Sequence, residues 1–477
     1  MPIRSAPSPS PSPSTADEAA ALLGVRDQLT VPLGPGQPLE LLRALGRRED
    51  WQRLEVFGAL LVELFPLFAK PGVSLRSGFL GPAERALRAA GHGVSFVPAD
   101  FRRFAEIARR FQPRVVATAG APPDAEGRIS FSLHAGATLD EVFEAARNPD
   151  RLLIVETSPH YPRTLGLPPE HPHSIALEEV DVWIEGEASP VELPDAAPGE
   201  IEMAIARHVT PFIPDGATLQ TGIGGIPNAV VRILAEGEGG DYGIHSEMFT
   251  DGLMRLHRAG KVSNRKGLFD GISIATFAMG SRALYDWLHE QELVRFLPVD
   301  LVNDPSVIAR NRSMISINGA LSVDLFGQVV ADSIDGVQHS GIGGHEDFLA
   351  GTGLSASGRS LLCLPSSITV DGQRRSRLRP QLASGSIVTS PRHQVDVVVT
   401  EHGAAELAGL TVEERGEALA EIAHPDFRDE LRDAARALAR LGVRSEAGSG
   451  AASASTASKA ESGSSETAGL GGRVRRG

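Results

Sequence analysis

Short apolar runs rich in valine, isoleucine and leucine recur at 115–119, 152–156, 182–184, 272–277, 314–318, 361–364 and 395–400, with segments of helical periodicity between them. A strand with one face in water alternates apolar and polar residues, whereas a continuous run fits a strand covered on both faces. Strands and helices alternating in this way predict an α/β fold with a parallel or mixed sheet. The helical segments carry their own signals. Thr138 followed by Glu141 reads as a capping box ahead of Val142, Phe143 and Ala146. Ile201, Ile205 and Val209 share one face before Pro211, and Phe427, Leu431, Ala435 and Leu438 share another after Pro425, with Gly442 as the expected stop.

A chain of 477 residues has room for roughly two to three ordinary domains. The proline- and acid-rich stretch GEASPVELPDAAPGE at 186–200 is the expected linker. It divides the chain into an N-terminal α/β domain at 15–190 and a C-terminal α/β domain at 191–444. The flanking segments, 1–14 and 445–477, are built of Ser, Pro, Ala, Gly and Thr and are expected to be disordered tails, because they hold too little apolar surface to offset the entropy of ordering. A single cysteine excludes an internal disulfide and any multi-cysteine metal cluster, and it fits a reduced, cytoplasmic setting. A net charge of −14 argues against a nucleic-acid surface. No apolar run reaches the ~18 residues that a membrane span requires.

Several segments could carry chemistry. In GATLQTGIGGIPNAVVRIL an apolar strand runs into Gly222, Gly224 and Gly225, then into a helix that starts near Pro227 and packs through Val230, Ile233 and Leu234. Backbone N–H groups at such a turn can hold a phosphate-bearing ligand. Pro227 stands where a dinucleotide fingerprint needs its third glycine, and no Gly-Lys-Ser/Thr follows, so the same letters also read as a plain tight turn. In DYGIHSEMFTDGLM, Glu247 lies among apolar residues with His245 and Asp251 close in sequence. A carboxylate there can act as nucleophile or general base, or simply sit in a salt bridge. Gly341, Gly343 and Gly344 crowd a second loop able to present N–H donors to an oxyanion or merely to bend the chain. Ser366 and Ser367 lack the GxSxG elbow of a hydrolase triad, and His171, His173, His402 and His424 lack zinc-ligand spacing. Cys363, in SLLCLPS, reads as a small buried hydrophobe.

Taken in order, GATLQTGIGGIPNAV, GIHSEMFTDG, FAMGSRALYD, VNDPSVIARN, SINGALSVDLFGQVVADS, HSGIGGHEDF, VTSPRHQVDVVVTEHGAAEL and IAHPDFRDEL resemble the acetyl-CoA hydrolase/transferase family, in particular its 4-hydroxybutyrate and acetate CoA-transferases. The likeness runs from about residue 20 to 442 and is looser in the N-terminal half, where GVSLRSGFLGPAERALRAAGHGVSFVPADF carries it. It implies two α/β domains of the kind shared by CoA-transferases and ribose-phosphate isomerases, with the active site between them. It further implies Glu247 as nucleophile and Gly344 as an oxyanion-hole donor. CoA would be bound at Gly222, Ile223, Gly224, Gly225 and Ile226 and at Ser340 and Gly343. One departure is His345, where similar members often carry Gln.

The expected reaction moves CoA from an acyl-CoA to a short-chain carboxylate of the acetate or 4-hydroxybutyrate type. CoA is then a substrate, with no metal and no tightly bound cofactor, and a homodimer is left open. Hydrolysis of the acyl-CoA at the same site is the competing enzymatic reading. A CoA-sensing protein without turnover is the reading from another class, and it gives no reason for Glu247 to stand in its motif.

Overall fold

The computed structural model describes residues 11–194 and 196–444. The first sheet is wholly parallel, and across it the strands run Val94–Phe96, Val73–Ser77, Arg53–Gly58, Arg26–Thr30, Val115–Gly120, Leu152–Thr157 and Val182–Glu185. The second runs Gly243–Ile244, Thr218–Thr221, Met314–Gly319, Arg359–Cys363, Val397–Thr400 and Gly403–Glu406, parallel except for the last pair. All residues of Val115–Gly120, Thr218–Thr221 and Val397–Thr400 are buried, as expected of strands covered on both faces. One apolar core joins the two sheets: Val116 and Leu153 from the first connect through Phe249 and Tyr285 to Ile315 and Val399 of the second. The α/β expectation is met, and among the described residues no regular element lies between Glu185 and the helix Glu200–Val209.

The run at 272–277 is not one strand. Ser273–Ala275 pairs with Val294–Phe296, while Phe277–Ala278 pairs with Met248–Phe249. Thr276, at the break, donates its N–H to the Glu247 carbonyl at 2.9 Å, and its own carbonyl accepts from Ala135 and Gly136 at 2.9 and 3.1 Å. A change of partner mid-run, which periodicity cannot register, therefore ties the loop 134–136 to the backbone of Glu247.

Three local expectations need correction. Thr138 adopts φ −103°, ψ −1°, which turns its hydroxyl away from capping, and Glu141 instead pairs with Arg151 at 2.6 Å. Ile201 is exposed, and the packed face of its helix is formed by Ile205, Ala206 and Val209. Gly442 does not stop the last helix, which spans Pro425–Arg444. Of the segments read as tails, 1–10 and 445–477 lie outside the described residues. Ser14 joins the first sheet, donating its N–H to the Trp183 carbonyl at 2.8 Å. No helix among the described residues is long and apolar enough to cross a membrane.

Candidate active site

Glu247 stands where the chain leaves the second sheet. His245 still follows the ladder, its N–H bonded to the Leu219 carbonyl, and Ser246 then turns to the Ile274 carbonyl. Ser246 locks the turn by donating its hydroxyl to the Thr221 carbonyl at 3.1 Å. His245 is fully buried, and its Nε2–H donates to the Val302 carbonyl at 2.7 Å; burial pulls its pKa down to about 4, so it is neutral. Its place is to brace the segment that presents Asn303, not to face Glu247. Asp251 is also turned away, accepting the N–H of Ser281 at 2.9 Å at the start of the next helix.

The Glu247 side chain is held by groups distant in sequence. Asn303 donates through Nδ2 to Glu247 Oε2 at 2.7 Å and to Asp347 Oδ2 at 3.2 Å. The backbone N–H of Gly344 also donates to the Glu247 carboxylate. Gly344 precedes the helix His345–Leu354, whose N-terminal dipole adds positive potential at the same point. Burial raises the Glu247 pKa to about 7; the Asn303 and Gly344 hydrogen bonds oppose the rise, and the neighbouring Asp347 adds to it. Asp347 is itself raised to about 6 by burial, although Arg102 Nε binds its Oδ1 at 2.7 Å. A carboxylate kept ionisable near neutrality while largely stripped of water can serve as a nucleophile.

Two cavities meet at this carboxylate. The first, of about 300 Å³, is almost entirely apolar and draws on Phe57, Phe101, Phe104 and Phe277. The second, of about 220 Å³, is lined by Gln220, Asn318 and the glycine loop 341–344. Gly222 and Gly343 border both. Ile223 borders the first and also a separate cavity at the start of the helix Gly225–Glu236, where Gly224 and Gly225 are found beside Thr250 and Asp251. Gly224 has φ +121°, a conformation that favours glycine, and no side chain caps the helix it begins. Ile226 packs against the core, and Ser340 bonds through its N–H to the Asp332 carbonyl; neither borders the two cavities at Glu247. His345 borders the second cavity, buried and 2.8 Å from Ser390 Oγ, with its pKa lowered by burial to about 4.

Sequence reasoning missed Asn303, Asp347 and Arg102. The first two stand inside the quoted motifs VNDPSVIARN and HSGIGGHEDF, so their letters were in view, but their convergence on Glu247 was not. Arg102 lies just past the N-terminal motif and gave no signal.

The comparisons with known proteins agree on the family. A profile of the acetyl-CoA hydrolase/transferase C-terminal domain matches residues 280–435. A 4-hydroxybutyrate coenzyme A transferase from Clostridium kluyveri is 35% identical over 428 residues, covering 87% of this chain and 95% of that protein. The chain belongs to the acetyl-CoA hydrolase/transferase family. It is an enzyme, a CoA-transferase by kind. Another relative in the family is a succinyl-CoA:cyclohexane-1-carboxylate CoA transferase from Geobacter metallireducens, 35% identical across 89% of this chain and 95% of its own length. Among solved structures, RipA from Yersinia pestis superposes with a TM-score of 0.81 at 31% identity, covering 89% of this chain and 97% of that one. The likeness covers most of both chains, so the sheets and the helices around Glu247 are those of the family and not a local likeness.

Proposed function

We propose that this enzyme transfers CoA from an acyl-CoA to a carboxylic acid through a glutamyl-CoA thioester on Glu247. The observation that carries the reading is the position of the Glu247 carboxylate, at the meeting point of an apolar and a polar cavity, with one oxygen held by Asn303. Because Oε2 is held, Oε1 is the oxygen free to attack the thioester carbonyl. Attack releases the CoA thiolate and leaves a mixed anhydride between the acyl group and Glu247. The thiolate then attacks the glutamyl carbonyl, the carboxylic acid leaves as its anion, and CoA remains on the enzyme as a thioester. A second carboxylate reverses both steps and restores the Glu247 carboxylate.

When the thiolate attacks, negative charge develops on the glutamyl oxygen, the atom to which Asn303 already donates, with the Gly344 N–H directed at the same carboxyl group. Donors fixed in place before the charge forms need no reorganisation as it develops. CoA binding is assigned to Gly222, Ile223, Gly224, Gly225 and Ile226 with Ser340 and Gly343, and the remote contacts along CoA supply energy that can act at the reacting centre. The resemblance points to acetate or 4-hydroxybutyrate as acceptor. Hydrolysis needs water in place of the second acid, and the apolar wall beside Glu247 disfavours it.

The test is trapping. Incubation with acyl-CoA and no acceptor, followed by borohydride, should place a reduced residue at Glu247 in the peptide spanning 245–248, and initial-rate lines at several acceptor concentrations should be parallel in double-reciprocal form. Glu247→Gln should lower transfer at least ~10³-fold, about 4 kcal/mol, and Glu247→Ala, which cannot revert by deamidation, should do the same. Near wild-type transfer by the alanine variant refutes the mechanism.

A further inference from the structure

The two cavities at Glu247 differ in chemistry, and that difference selects a substrate. The polar cavity offers amide side chains at Gln220 and Asn318 and a glycine-lined wall, which suits the amide-bearing arm of CoA. The other cavity offers Phe57, Phe79, Phe101, Phe104, Phe277 and Leu60, with Phe101 edge-on to Phe277 at 6.1 Å between ring centroids. Among the described residues no Lys or Arg side chain lines it, and His134 is the one histidine that does. Both His134 ring nitrogens are buried without a hydrogen-bond partner among the described residues. A hydrophilic acid would gain little there, and the far carboxylate of a dicarboxylic acid would be desolvated with no cation to pair it. Acetate, with a single methyl group, would leave most of about 300 Å³ unfilled.

Resting on the transfer reading above, we propose that one of the two acids exchanged is a bulky apolar monocarboxylate, an aliphatic acid of about six carbons or an aromatic acid, whose chain or ring occupies the phenylalanine-lined cavity while its carboxyl carbon meets Glu247. The acid binds with its carboxylate toward Oε1 of Glu247 and its apolar end between the Phe57–Phe104 and Phe101–Phe277 pairs. Aromatic rings in that setting gain from edge and offset contacts as well as from burial. The second acid of the exchange can be small, since a short acid still reaches Glu247 from the same side.

Acetyl-CoA as donor, with propionate, butyrate, hexanoate, phenylacetate and succinate as acceptors, tests this. Each buried methylene should raise kcat/KM about fourfold. Hexanoate and phenylacetate should therefore exceed propionate at least tenfold, with succinate below propionate. Propionate or succinate matching hexanoate overturns the proposal while leaving transfer itself intact. If no acceptor is converted and no thioester forms on Glu247, the transfer reading has failed instead, and the cavity is then judged by calorimetric binding of phenylacetate to the intact protein. Ala137→Phe and Ala59→Phe each place a ring in the cavity. Either should weaken phenylacetate use or binding at least tenfold more than that of propionate; an unchanged ratio in both folded variants overturns the assignment.

Discussion

Asn303 Nδ2 lies 2.7 Å from Oε2 of Glu247, and the same nitrogen lies 3.2 Å from Asp347. One amide thus bridges two buried carboxylates that would otherwise repel each other, and its hydrogen bond opposes the rise in pKa that burial imposes on Glu247. Its hydrogen bond favours the charged state, so losing it must raise the Glu247 pKa above about 7. A hydrogen bond to a charged group contributes about 1.5–3 kcal/mol, or roughly one to two pH units. In Asn303→Ala the acidic limb of the kcat/KM profile should move up by about that much. A limb that stays in place would remove Asn303 from control of this carboxylate.

Gly344 admits a cleaner steric test. Its φ of −92° is open to any residue, so alanine there brings no backbone strain. A Cβ at this position would, however, fall 2.0 Å from Glu247 Oε2 and 2.3 Å from Asn303 Nδ2. Gly344→Ala should therefore displace both groups and lower kcat by about 10²–10³, the range found when one oxyanion donor is lost. Calorimetric CoA affinity should change little. Equal losses in kcat and in CoA binding would show that the loop holds CoA and does not act on the reacting carbonyl.

Lys266 is fully buried, its Nζ donating to the carbonyls of Leu268 and Phe269 at 2.8 and 2.7 Å. Burial lowers its pKa to about 7 from an ordinary 10.5. Between these values the unfolded chain keeps the proton that the folded protein has released, so this group makes stability rise with pH, by at most about 1.4 kcal/mol per unit. Urea midpoints should climb between pH 7 and 9, and Lys266→Met should flatten that climb. The same slope in the variant would assign it to other groups.

Removal of residues 1–10 and 445–477 should leave specific activity within about twofold, far below the ~1.4 kcal/mol of a tenfold change. The cut stops short of Ser14 because its N–H completes a bridge to the first sheet. A folded, truncated protein with collapsed activity would show that an end segment reaches the site.

Much of the fold was legible because it is written in local patterns. The run at 115–119 and the part of the run at 395–400 from Val397 on stand as buried strands, because near-continuous valine and alanine are satisfied best between covering layers. The run at 272–277 misled because its letters are equally apolar on both sides of Thr276, and only the pairing partners reveal the break. Thr138 misled for a related reason: a capping box needs an extended backbone at the cap, and the loop that anchors Gly136 to Thr276 sets a different one.

The order of amino acids by itself determined the α/β class, the glycine turn before the helix Gly225–Glu236 and the family to which Glu247 belongs, since each depends on neighbours a few residues apart or on motifs read in line. Only the tertiary structure decided what surrounds that carboxylate. Asn303 is 56 residues away and Asp347 still farther along the chain, yet both bear on the carboxyl group of Glu247. The phenylalanines of the apolar cavity come from segments on both sides of the stretch 186–200. Hydrogen bonds and burial act through a few ångströms of space, whereas periodicity acts through a few residues of chain, so the electrostatics of the site exists only once the two sheets are packed on their common core.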